Sequence, residues 1–177
     1  MKVLEVVTDG FEDMEAIGTL SLLKRAGVDL TFAAIGSHKA TGRYGVVSEE
    51  MPDVWNLDLD EYGMLIIPGG PEYMAEEKNP RFLALVFDFA KKGKYIAAIC
   101  AGPTILGHLG LLKGKKYTCF TSMDEDFGGT YVDTYAVKDG RIITGRSVAA
   151  VNQFSLEIIR AVKGEDAVNR IREEVYF

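Results

Sequence analysis

Short apolar runs alternate with stretches of helical periodicity along most of this chain. Lys2 to Thr8 is apolar except for Glu5, and after the turn at Asp9-Gly10-Phe11 the apolar positions from Met14 to Ala26 recur at helical spacing. Gly27 suits the end of that helix, and Val28 to Ile35 reads as a second strand. Gly36 to Gly45 is polar and glycine-rich, which predicts a loop, with a small outlying strand at Val46 to Glu50. Met64-Leu65-Ile66-Ile67 is a core strand that stops at Pro68-Gly69-Gly70-Pro71. Asn79-Pro80 then opens a helix to about Lys92, with Phe82, Leu85, Val86 and Phe89 on one face. Lys116 to Phe120 suggests another strand, and Tyr135 to Thr144 a hairpin around Asp139-Gly140; Val148 to Val162 and Asp166 to Glu174 read as closing helices.

A strand-helix-strand unit normally implies parallel strands and a right-handed crossover, so the alternation predicts an α/β, three-layer, doubly wound sandwich around a mostly parallel sheet. Sites in such folds lie beyond the carboxyl ends of the central strands. Three segments are expected to converge there: Asp9 to Glu15, Pro68 to Pro71, and the turn at Cys100.

Cys100 stands where the pattern changes abruptly. Tyr95 to Ile99 is a short apolar strand, and Thr104 to Leu112 returns to roughly helical spacing. Between them Ala101 and Gly102 allow a sharp bend, while Pro103 fits the first turn of a helix because its missing N–H would have no partner there. This is the pattern of a nucleophile elbow, with a side chain held above the sheet edge and the next N–H aimed at the oxygen under attack. A helix N-terminus favours the thiolate, so the Cys100 thiol is expected to titrate below the ~8.5 of a free cysteine. Most free cysteines are inert filler, and Cys119, between Thr118 and Phe120, fits that role. Tyr95 to Leu112 carries no charge over the length of a membrane span, but Pro103, His108 and its glycines within an α/β pattern argue against one.

Composition narrows the function classes. The 177 residues suit one domain spanning 1–177, with no linker, repeat or charge block to divide them. With 20 basic and 26 acidic side chains the net charge is -6, against a nucleic-acid or anionic-membrane partner. The N-terminus enters a strand at once and lacks a signal-peptide core, which points to the cytoplasm. Two cysteines make no disulfide framework, and with His38 and His108 as the only histidines no metal is expected.

Glu12, Asp13 and Glu15 crowd the start of the first helix. Glu12 and Asp13 suit the helix dipole there. Glu15 lies on the helix itself, and if it faces Cys100 the pair would share one proton, with the carboxyl pKa raised. Gly69 and Gly70 offer N–H groups with no side chain in the way, as an oxyanion hole requires.

Ile99-Cys100-Ala101-Gly102-Pro103-Thr104, Leu65-Ile66-Ile67-Pro68-Gly69-Gly70 and Gly10-Phe11-Glu12-Asp13-Met14-Glu15 resemble, in order, the three signatures of the ThiJ/PfpI superfamily. The similarity extends to Gly128 to Asp133 and Asp139 to Thr144, and so covers essentially the whole chain. The resemblance implies a flavodoxin-like sandwich related to class I glutamine amidotransferase domains. It further implies Cys100 as the reactive cysteine, Glu15 as its protonated partner, Gly70 and Ala101 as N–H donors with Gly69 and Gly102 in support, no cofactor, and a homodimer. Roles across the superfamily include glyoxal and methylglyoxal hydration, protein deglycation, proteolysis, chaperoning and oxidative-stress sensing.

Three departures bear on that list. The protease-like branch carries a histidine directly after the nucleophile, where this chain has Ala101. Glyoxalase-active relatives carry a histidine on the next strand, and Lys116 to Thr121 has none; His108 and His38 read as surface or packing residues. Arg146-Ser147-Val148-Ala149-Ala150 replaces a glycine-rich segment, so a different pocket wall is expected. The leading expectation is a slow, cofactor-independent enzyme acting on small reactive carbonyl or glycated substrates. A redox sensor or chaperone working through Cys100 oxidation is the alternative, and a peptidase or amidase the weaker one.

Overall fold

The computed structural model describes residues Met1–Phe177. Its elements in chain order are β1 (Lys2–Val7), α1 (Asp13–Arg25), β2 (Leu30–Ala34), β3 (Ala40–Thr41), β4 (Val47–Ser48), β5 (Tyr62–Ile67), α2 (Tyr73–Glu76), α3 (Pro80–Lys91) and β6 (Tyr95–Ile99). They continue with α4 (Gly102–His108), β7 (Lys116–Tyr117), β8 (Thr130–Tyr131), β9 (Ala136–Asp139), β10 (Ile142–Gly145), α5 (Val151–Lys163) and α6 (Glu165–Val175).

Six strands form the central sheet in the order β2-β1-β5-β6-β10-β9, parallel except for the β9–β10 hairpin at one edge. Side chains alternate across each strand, so the same strands feed two cores. Leu4, Leu65 and Ile67 join Phe82, Val86 and Phe89 of α3 on one side; Val3, Ile66 and Ile99 join Phe154, Ile158 and Ile159 of α5 on the other. Helices on both faces of a mostly parallel sheet are the doubly wound arrangement expected from the pattern. Local signals hold as well: Asn79 caps α3 by accepting the Arg81 and Phe82 N–H groups at 3.1 and 3.2 Å, with Pro80 in the first turn.

The structure corrects several boundaries. The strand expected over Lys116 to Phe120 is only β7, and it pairs with β8 in a separate two-stranded sheet. The loop expected over Gly36 to Gly45 contains β3, which pairs with β4. The helix after Cys100 begins earlier and ends at His108, because Gly110 takes a positive φ of 72° and turns the chain. The α2 turn was not anticipated, since Glu72 to Glu77 carries three acids and reads as solvated surface. Instead Glu72 and Glu76 are 1% exposed.

Candidate active site

The carboxyl ends of β1, β5 and β6 bring the three expected segments together. Cys100 follows β6 directly and adopts a left-handed backbone, φ 63°, a strained conformation for a residue with a side chain. Two hydrogen bonds hold it there: its N–H donates to Gly145 O at 2.9 Å and its carbonyl accepts the Phe120 N–H at 2.8 Å. A Cβ on Gly102 would lie 2.9 Å from Ile67 O, so only glycine lets α4 start this close to the end of β5.

Glu15 reaches the same place from α1. Glu12 is the N-cap, accepting the Glu15 N–H at 2.8 Å, which fixes the first turn. The Glu15 carboxyl is 1% exposed; its Oε2 accepts the Gly69 N–H at 2.9 Å, and it is hydrogen-bonded to the Cys100 thiol. Burial pushes it up from the usual carboxylate range to about 7, aided by the Glu12 charge and opposed by the Cys100 and Gly69 hydrogen bonds. A Cβ on Gly69 would collide with both the Cys100 Cβ and Glu15 Oε2, so this position must stay bare for the two groups to meet.

The expectation of a lowered thiol is overturned. Burial pushes the Cys100 thiol up, and the Glu15 charge and hydrogen bond push the same way; the Ala101 N–H at the start of α4 pulls it down but is outweighed. Both groups are thus pushed toward their neutral forms, the carboxyl to about 7 and the thiol further up, so the carboxyl is the first of the two to release its proton.

The two glycines of the β5 loop differ in what they offer. Gly69 spends its N–H on Glu15, whereas Gly70, at φ 111°, has its N–H bonded to no backbone or side-chain acceptor. Gly70, Ala101 and Cys100 border a cavity of about 210 Å³ whose other walls include Pro71, Tyr73, Met74, Phe120 and Met123. The sequence reading missed Arg43 on this wall, where it lay within the segment read as loop. It also missed the part played by Asp13, which does more than face the helix dipole: its carboxylate accepts the Tyr44 and Val46 N–H groups, both at 2.9 Å, and docks the β3–β4 loop onto α1.

Neither histidine borders the cavity. His108 Nδ1 lies 2.7 Å from Glu77 and its Nε2 3.2 Å from Glu125, and His38 Nδ1 is 2.9 Å from Met51 O. Cys119 is fully buried in the core on the α3 side of the sheet. Arg146 pairs with Asp133 at 2.7 Å, while Val148 and Ala149 border a separate groove along α1, so this departure changes another surface and not the Cys100 wall. No group of three or more His, Cys, Asp or Glu residues is arranged to hold a metal ion, and no helix is long and apolar enough to cross a membrane.

The fold is thus a doubly wound α/β sandwich that brings a cysteine and a buried carboxyl together at the carboxyl edge of its sheet. Residues 1–161 match the DJ-1/PfpI family, and the chain belongs to that family. It is 31% identical over 166 residues to a protein of Thermococcus kodakarensis named Deglycase TK1284, covering 92% of this chain and 100% of that one. To the Drosophila melanogaster protein dj-1beta it is 31% identical over 180 residues, covering 95% and 92%. Among solved structures, Drosophila DJ-1beta superposes with a TM-score of 0.91 at 27% identity, over 99% of this chain and 97% of that one. A mutant of the DJ-1 superfamily protein STM1931 from Salmonella typhimurium gives 0.90 at 30%, over 99% and 98%.

Proposed function

We propose that this protein is a cofactor-independent enzyme of the cytoplasm that acts on reactive carbonyls in stress protection, in the manner of a glyoxalase III or deglycase. The observation that carries the reading is the half-buried Cys100 thiol against the buried Glu15 carboxyl, raised to about 7, beside the unbonded Gly70 N–H. A carboxylate near neutrality is suited to take and return a proton at cellular pH. Several archaeal relatives are named deglycases, which supports the same chemistry.

In this mechanism the Cys100 sulfur adds to the aldehyde carbon of a 2-oxoaldehyde while Glu15 takes the thiol proton. The oxyanion forms under the Gly70 and Ala101 N–H groups. Glu15 returns that proton to the oxyanion, giving the neutral hemithioacetal. It then takes the proton of the former aldehyde carbon and delivers it to the neighbouring ketone carbon while the hydroxyl proton passes from one oxygen to the other, so the hemithioacetal becomes a 2-hydroxy thioester. Water cleaves that thioester, releasing the hydroxy acid and restoring the thiol. Carbon is oxidised at one centre and reduced at the next, so no external redox partner is required. With Glu15 as sole acid–base group, turnover is slow.

Methylglyoxal conversion to lactate tests this. Wild type should turn over, and Cys100→Ser and Glu15→Gln should each lose about 10²-fold or more. The second reading is a sensor in which peroxide oxidises Cys100 to a sulfinate held by protonated Glu15. Glu15 would take the thiol proton in either reading, and the deglycase-named relatives favour the carbonyl chemistry. No methylglyoxal turnover, with stoichiometric sulfinate under mild peroxide, would establish the sensor instead. The peptidase reading is weakest, as no histidine borders the cavity. We also propose a homodimer, with exposed Met14 and Val46 of the α1 groove as candidate interface; a monomer by light scattering would refute it.

A further inference from the structure

The Cys100 cavity contains one charge that the proposed chemistry does not use. Arg43 is the only cationic side chain on its wall. Arg146, Arg160 and Arg170 are engaged with acids, while Arg81 and Arg141, like Arg43, lie over aromatic rings; what sets Arg43 apart is its place on the Cys100 cavity. Arg43 has no carboxylate within ion-pair distance and only stacks on its neighbour Tyr44, 5.5 Å from the ring centroid.

The backbone that carries Arg43 is pinned. Its own N–H donates to Phe11 O at 2.8 Å, and the Thr41 N–H donates to Asp9 at 2.8 Å. The Gly10 N–H donates to Thr41 O at 2.8 Å, while Asp13 receives the N–H groups of Tyr44 and Val46. These contacts anchor the start of the guanidinium's stem at the rim of the cavity, opposite walls that are otherwise mostly apolar: Pro71, Met74, Phe120 and Met123. Arg43 is itself exposed, and at the rim of a small, mostly apolar pocket its fork-shaped donor matches a planar anion. A single guanidinium balances one negative charge, which suits a carboxylate better than a phosphate dianion.

We propose that Arg43 makes this a site for carboxylate-bearing carbonyl compounds, with the carbonyl carbon at Cys100 and the carboxylate on the guanidinium. The inference rests on the reading of Cys100 as the reacting group. Addition forms one C–S bond, the thiol proton passes to Glu15, and the carbonyl electron pair moves to oxygen beneath the Gly70 and Ala101 N–H groups.

Paired alkylating reagents test it. Iodoacetate and iodoacetamide both form an S–C bond and release iodide, and differ in charge. The iodoacetate-to-iodoacetamide rate ratio at Cys100, normalised to that of glutathione, should be about tenfold or more above unity and should shrink in about 0.5 M salt. Arg43→Gln should bring it to unity, and Arg43→Lys should keep part of it. A wild-type ratio at unity, or one that Arg43→Gln leaves unchanged, would overturn the inference. A second arm needs no reactive sulfur: pyruvate and methyl pyruvate binding to Cys100→Ser protein, by saturation-transfer NMR. Pyruvate should bind in preference, and adding Arg43→Gln should abolish the preference; equal binding of the two overturns the inference. If Cys100 reacts with neither reagent, the carbonyl-enzyme reading fails, while the pyruvate arm still decides the role of Arg43.

Discussion

Glu76 ends α2 with 1% of its surface exposed and neither carboxyl oxygen hydrogen-bonded. Burial, followed by the nearby Glu77 charge, pushes it from 4.5 to about 8. Below 4.5 the carboxyl is protonated in both folded and unfolded chains, and stability is at its full value. Above that, the unfolded chain releases the proton and the folded one does not, so stability is lost as pH rises to about 8. At about 1.4 kcal/mol per pH unit, the buried Glu72 and Glu76 together remove several kcal/mol of stability as pH rises through that window. Glu15, raised to about 7, adds about 3 kcal/mol in the same direction, and buried Glu5 acts with the same sign. Denaturant unfolding of wild type and Glu76→Gln at about pH 5 and about pH 8.5 measures the effect. Glutamine stays neutral at both, at a cost of about 1 to 3 kcal/mol for a buried amide without full partners. The variant should therefore be the less stable protein in acid and the more stable one in base. Wild-type stability that does not change with pH, or a Glu76→Gln deficit of equal size at both pH values, would refute the reasoning.

Gly69→Ala should fold less stably and lose at least about 10²-fold in methylglyoxal turnover, because its Cβ must part Cys100 from Glu15; turnover near wild type would contradict that. Cys119→Ala should cost about 1 to 2 kcal/mol in denaturant unfolding, from a small core void, and leave the rate of Cys100 alkylation unchanged. Asp13→Ala should release the β3–β4 loop, lowering the preference for iodoacetate while sparing the iodoacetamide rate; an unchanged ratio would show that Arg43 does not depend on this anchor.

What the chain reveals without coordinates depends on whether the cause is local. The apolar run from Tyr95 to Ile99, the small residues after Cys100 and Pro103 specify a strand, a bend and a helix start within ten positions, and all three are found. Glu15 was legible through the superfamily signature at Gly10 to Glu15, whereas the cap at Glu12 that fixes its turn of α1 shows only in the structure. The thiol's direction was not legible, since a helix end acts locally while burial and the Glu15 charge come from packing. Glu5, Glu72 and Glu76 look like ordinary surface acids, and only the assembled layers exclude them from water. Arg43 and Asp13 belong together through bonds spanning some thirty residues, a relation that no spacing rule encodes.

The central claim is that Cys100 reacts by passing its proton to Glu15. The pH dependence of Cys100 alkylation by neutral iodoacetamide tests it directly, in wild type and in Glu15→Gln. The account predicts a wild-type rate that rises with an apparent pKa of about 7, and loss of that limb in the variant. A single rise at the ~8.5 of a free thiol, the same in both proteins, would contradict it.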